Sequence, residues 1–142
     1  MRSLIRYLPL LFLCGASTLR ADIAVVVHPH SPVSALQLDD VKRIFNGKLR
    51  QLPASGVLLT VYDLPDDTQL FSRFYMLLYG MDAQRMNRRR AAYLFSGQGT
   101  IPTVMTDEAA MKAAVASGMM TIGYLDAGSV DHTVKVVLTL PE

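Results

Sequence analysis

The apolar residues of this chain follow two rhythms. Ile23 to His28 is a run of mostly β-branched apolar residues with no alternation, which reads as a strand buried on both faces. Pro29, Ser31 and Pro32 end it. A 3.6-residue period follows over Asp39 to Phe45. Val41, Ile44 and Phe45 form an i, i+3, i+4 stripe, two aspartates suit the positive helix start, and Asn46-Gly47 suits its end. Val57 to Tyr62 predicts a second strand. Asp66-Asp67-Thr68 predicts the start of a helix running to about Tyr79, with Leu70, Phe71, Phe74, Leu77 and Leu78 on one face and Gly80 as its stop. Asp82 caps a helix predicted to reach about Phe95, and Gly97, Gly99 and Pro102 make a loop. Thr106-Asp107-Glu108 opens a further helix that Gly118 closes. Thr121 to Leu125 and Val134 to Leu138 read as the last two strands.

Strands alternating with helices predict a single α/β domain with a mostly parallel or mixed sheet flanked by helices. The length of 142 residues suits one domain, and the chain shows no internal repeat, low-complexity tract or long linker. Hydrophobic residues make up 51% and charged residues 18%, which supports a folded core.

The first residues have a different character. Arg2 and Arg6 precede the apolar run Leu8 to Cys14, and the small residues Gly15, Ala16, Ser17 and Ala21 follow. A basic start, a short apolar run and a small-residue exit describe a secretory signal peptide over residues 1–21. The run is far shorter than the ~20 residues of a spanning helix. Cleavage after Ala21 leaves a domain over residues 22–142 with no transmembrane segment, placed in the periplasm. Cleavage after Ala16, or an uncleaved anchor or first strand, are the alternatives. The segment holds three of the 14 basic residues and none of the 12 acidic ones, so 11 bases face 12 acids in the mature chain. Overall charge therefore implies no nucleic-acid partner. The one cysteine, Cys14, also lies in this segment. The mature chain would have no disulfide, no thiol nucleophile and no cysteine metal site. Lipidation of Cys14 is an alternative that Leu13 opposes, because the residue before a lipidated cysteine is normally small.

No catalytic motif stands out: G-x-S-x-G, the P-loop and H-E-x-x-H are all missing, and neither a cofactor nor an enzyme activity is implied. His28 and His30 could share a strand face and one metal, but Pro29 breaks the strand between them, so polar residues at a strand end are the simpler reading. Arg85, Arg88 and Arg89 share one helix face, which suits solvent or, alternatively, an anion or a partner. Arg90 falls inside the Met86–Tyr93–Leu94 stripe, where it must snorkel, pair with a carboxylate or face a cleft. Asp66 and Asp67 would satisfy the amides of a helix start themselves and repel an anion there.

An ordered series of segments then lines up. Ala24-Val25-Val26-Val27 is followed by His-Pro-x-Ser-Pro. Val41-x-x-Ile44-Phe45-x-Gly47-Lys48 comes next, and Asp63-Leu64-Pro65 precedes Phe71-x-x-Phe74-Tyr75. Phe95-x-Gly97 with Pro102 and Ile122-Gly123-Tyr124 complete it. The series resembles the small phosphate ABC-transporter substrate-binding-like proteins, of the type II periplasmic binding-protein class. The resemblance implies a non-enzymatic, exported solute-binding fold of which this chain looks like a single lobe, with half a cleft. It implies a small oxyanion or other solute as ligand, or an inner-membrane or periplasmic protein partner. The alternative is a periplasmic protein-interaction or sensor-accessory module without a ligand of its own. Phosphate binders of this class carry an Arg and then Ser-Gly-Thr at the turn after the second strand. Thr68 matches the Thr, Asp66 and Asp67 stand where Ser and Gly would be, and Tyr62 stands near the Arg. Arg90 occupies a position that is aromatic in relatives. Thr68 and Arg90 are thus the candidate ligand-binding residues.

Overall fold

β1 (Ile23–Val27) is buried at every position and runs through the middle of the protein. The computed structural model describes residues 21–52 and 55–142; the expected signal peptide up to Arg20, with Cys14, lies outside them. β1 is hydrogen-bonded on both edges, to β4 (Thr121–Asp126) and to β5 (Lys135–Leu140), and is antiparallel to each. On the other side of β4 lie β2 (Thr60–Asp63) and β3 (Thr103–Val104), both parallel to it. The sheet order is β3-β2-β4-β1-β5, so β1 alone runs against the other four. The sheet is mixed, and its buried centre explains why the β1 sequence shows no polar alternation.

Helices cover both faces. α1 (Leu38–Phe45) and α2 (Gln69–Tyr79) pack together on one side, and α3 (Ala83–Phe95) leans on α2. α4 (Glu108–Ser117) covers β4 and β1 from the other. Alternation along β4 divides its side chains: Tyr124 enters an aromatic cluster with Phe45 and Phe74, while Gly123 lies under Met111 and Val115 of α4. The Phe74 and Tyr124 rings stack at 3.8 Å between centroids, and Phe45 meets Phe74 edge-on at 4.9 Å. Such contacts add about 0.5–1.5 kcal/mol each beyond burial. Among the described residues no helix is long and apolar enough to cross a membrane.

The elements depart from the sequence pattern in four places. The second strand starts at Thr60 and ends at Asp63, because Val57 to Leu59 first folds back on residues 50–52 through Leu52 N to Val57 O and Leu59 N to Arg50 O, 2.9 Å each. β3 has two residues, too few to leave a periodic signal, and sits inside the expected loop. The last strand extends to Leu140. At α2 the cap is Thr68, whose hydroxyl accepts from Phe71 N, and not the two aspartates before it. The cap expected at Asp82 is present, accepting from Arg85 N at 2.8 Å, while at Thr106-Asp107-Glu108 the cap is Asp107, accepting from Ala110 N at 2.7 Å, with Glu108 alone in the first turn. Arg73 holds the two ends of the domain together. It donates to Glu142 at 2.6 Å, to Asp126 at 3.2 Å and to the Ala21 carbonyl.

Gly47, just past α1, has φ +83°, and a Cβ there would overlap the Thr100 carbonyl oxygen. Close approach of the 46–48 turn to the 99–102 loop therefore needs a glycine. Gly80, the left-handed cap of α2, has φ +65° and open space where a Cβ would go. Gly80→Ala should cost about 1–2 kcal/mol, the left-handed penalty alone. Gly47→Ala should cost clearly more, because overlap with backbone is added to that penalty. Denaturant unfolding of both variants measures the difference; equal costs would mean that the turn can move away from Thr100.

Candidate functional site

Asp63 ends β2 with its side chain wholly buried. Its two oxygens accept four hydrogen bonds. Oδ1 takes Tyr124 OH at 2.5 Å and Leu64 N at 2.8 Å, and Oδ2 takes Tyr75 OH at 2.7 Å and Arg90 Nη2 at 2.6 Å. The donors come from β4, α2, α3 and the chain just after β2, so one carboxylate ties four segments together. It has no acceptor capacity left. Removing one partner of a buried ion pair of this kind typically costs about 3–5 kcal/mol, because the other charge is left uncompensated.

Arg90, one of the two residues singled out from the sequence, is the cation of that pair, and its side chain is 10% exposed. The sequence offered three solutions for it, and the structure combines two: a carboxylate partner and a cleft wall. All its hydrogen bonds use Nη2, which also reaches the Phe45 carbonyl at 3.3 Å and Tyr75 OH. Nε is buried without a partner. The guanidinium lies over the Tyr75 ring at 4.8 Å. Burial in this cluster, and then the neighbouring Asp63 charge, push the phenols of Tyr75 and Tyr124 well above their ordinary value.

Arg90 also lines an open crevice of about 490 Å³ at the carboxyl ends of β2 and β3. Leu64, Phe71, Leu94, Ile101 and Val104 give it an apolar wall, and Asp66 and Asn87 form its polar rim. Asn87 donates to Asp66 at 2.5 Å. The outer ends of parallel strands are where ligands sit in open α/β sheets. A second open hollow of about 520 Å³ lies beside Glu108, Lys112, Ser129 and Asp131. There Lys112 is engaged by Asp131 and by the Ser129 carbonyl, as Arg90 is by Asp63; the crevice is distinguished by its apolar wall.

Thr68, the other candidate, is committed to the local fold: its hydroxyl donates to Pro65 O at 2.7 Å and accepts from Phe71 N at 3.4 Å. It does not join Arg90 in the crevice wall. Arg85 and Arg88 are exposed as expected, whereas Arg89 is half-buried, 5.6 Å from the Tyr79 ring and 5.9 Å from that of Tyr93. His28 Nδ1 accepts from His30 N at 3.0 Å, a local turn contact. Asp63 is the residue that sequence reasoning missed. Its signal was an acid closing an apolar strand run while an arginine stood in an apolar helix stripe, two misplaced charges of opposite sign.

Protonated Tyr75, Tyr79 and Tyr124 are favoured in the folded chain, since burial raises all three above the ordinary value of 10.0. The folded state therefore keeps protons that unfolded tyrosines lose. The resulting stability is full below about pH 10 and falls as the pH rises beyond it. Urea unfolding between pH 8 and pH 11 should show this decline, and Tyr75→Phe should make it shallower. A stability that stays level across that interval would contradict it.

No family model matches the sequence, and comparison with curated proteins also finds no match. Solved structures do match. A phosphate ABC transporter substrate-binding protein from Clostridium perfringens, with bound phosphate, aligns over 82% of this chain at TM-score 0.65 and 22% identity. An ABC-type phosphate transport receptor from Vibrio cholerae aligns over 82% at TM-score 0.66 and 19% identity. PstS from Borrelia burgdorferi aligns over 82% at TM-score 0.61 and 13% identity. The chain spans about half the length of these structures, at 45%, 46% and 47%. It has the fold of a lobe-sized part of phosphate-binding transport proteins, as the resemblance in its sequence implied.

Proposed function

We propose that this chain is an exported, non-catalytic binding domain of the solute-binding kind, whose crevice at the ends of β2 and β3 takes a solute other than free phosphate. The observation that carries this is the state of Arg90: the one cation among the described residues of the crevice wall is already neutralised by Asp63. Asp66 adds a negative charge to the rim of the crevice. Thr68 spends its hydroxyl on the α2 cap. An inorganic phosphate in the crevice would meet the Asp66 carboxylate, which repels it by about 1 kcal/mol at close range in water, against few free donors. The apolar wall instead suits a ligand that is largely uncharged. The Asp63 centre supports a non-catalytic role, since its acid is saturated and its phenols are held protonated.

A protein partner is the second reading. It is favoured by Leu94, Ile101 and Val104, which are large, apolar and exposed at the crevice mouth. Apolar side chains of a partner would fit that space.

Isothermal titration with phosphate should show no binding tighter than millimolar. Replacing Asp66 by Ser and Asp67 by Gly should move the protein toward binding. A micromolar affinity in the unmodified chain would mean that Arg90 can leave Asp63 for the anion.

Export rests on the basic start and short apolar run. Mass spectrometry of the native protein should find an N-terminus near Asp22; an intact Met1 would contradict it.

A further inference from the structure

Arg90 leaves part of its guanidinium unused. The side chain is 10% exposed, and its hydrogen bonds to the described residues all run through Nη2. Nε is buried without a partner, so Nη1 is the donor that the crevice can reach. On the rim of the same crevice, Asp66 is engaged by Asn87 through Oδ2, which leaves Oδ1 as an acceptor. Around these two groups the wall is apolar, and Leu94, Ile101 and Val104 are 49%, 57% and 55% exposed. The crevice thus offers one donor, one acceptor and an apolar surface together.

Charge selects among the groups that could use them. A carboxylate would satisfy Nη1, but it brings no proton for Asp66 and is repelled by its charge. An ammonium would suit Asp66, but it cannot accept from Nη1. A primary amide does both without net charge: its oxygen accepts and its N–H donates. We propose that the crevice takes a small, uncharged amide with a branched apolar body, the carbonyl on Arg90 Nη1, the N–H on Asp66 Oδ1 and the body against Leu94, Ile101 and Val104. This rests on the reading of the crevice as a solute site and adds the class of solute. Arg90 serves as a donor here without leaving Asp63, because the two contacts use different nitrogens.

Three probes with one branched apolar body separate the possibilities: isocaproamide, isocaproate and isohexylamine. Each is titrated into the nitrogen-labelled full chain at neutral pH and followed by two-dimensional NMR, with inorganic phosphate as a fourth arm. Isocaproamide should shift the Arg90 side-chain N–H signals and bind about fivefold tighter than isocaproate, which Asp66 repels. It should also bind tighter than isohexylamine, which leaves Nη1 unpaired. Asp66→Ala should remove the preference for amide over acid. Leu94→Ser should weaken the amide about fivefold through lost apolar contact, with an unchanged melting temperature because the position is half exposed. Tighter binding of the acid or the amine would overturn the proposal, as would a preference that survives Asp66→Ala or amide binding that Leu94→Ser leaves intact. If neither the amide nor phosphate binds, the amide assignment alone falls. Micromolar phosphate binding would instead overturn the reading of the crevice on which it rests.

Discussion

The Asp63 carboxylate constrains more of this protein than any other single group. A buried negative charge is tolerable only when it is paired and fully hydrogen-bonded, and here it draws one donor each from β4, α2, α3 and the backbone after β2. Each donor fixes the element that carries it. Tyr124 brings the β4 end, already stacked on Phe74 of α2, into line with β2. Arg90 holds α3 against the domain together with the buried Met86 and the Asn87–Asp66 hydrogen bond. The cluster thus joins sheet and helices by directional bonds where apolar packing alone would leave the orientation of α3 weakly specified.

The same group decides the character of the crevice. In an open α/β sheet the strand ends collect ligands, and an arginine there would ordinarily invite an anion. Because the Asp63 charge lies 2.6 Å from Arg90 Nη2, the arginine acts as a structural cation, and the wall it shares is mostly apolar. Asp66 is likewise held by Asn87, in a turn where an anion-binding loop would need small residues and free amides. Fold likeness to phosphate-binding transport proteins and the proposed preference of the crevice for another solute are therefore compatible. The first follows from the backbone, and the second from a few side chains at one strand end.

α3 serves both the packing of the domain and the crevice. Its inner edge supplies Arg90 and Met86 to the body of the domain, one flank forms the crevice wall through Ala91 and Leu94, and its outer face carries Phe95 and Arg88. One helix contributes to the stability of the domain and to the crevice wall, which explains why its residue pattern fits no single amphipathic scheme.

The class of fold and most element boundaries were legible in the amino-acid pattern alone. Unbroken apolar runs, 3.6-residue stripes and caps such as Asp82 and Asp107 are local signals, set by neighbours a few residues away. It also marked Arg90 as out of place in its stripe. Several features depended on contacts between distant segments: the position of β1 as the lone antiparallel strand, the two-residue β3, the fold-back that delays β2 to Thr60, and the cap at Thr68. The partner of Arg90 was hidden for the same reason. Asp63 lies 27 residues away, and nothing local distinguishes an acid that ends a strand in solvent from one that the fold closes over. Pairing across a sheet and burial of a charge are decided only when separate elements meet, because the energies that select them arise from that meeting and not from the chain on either side.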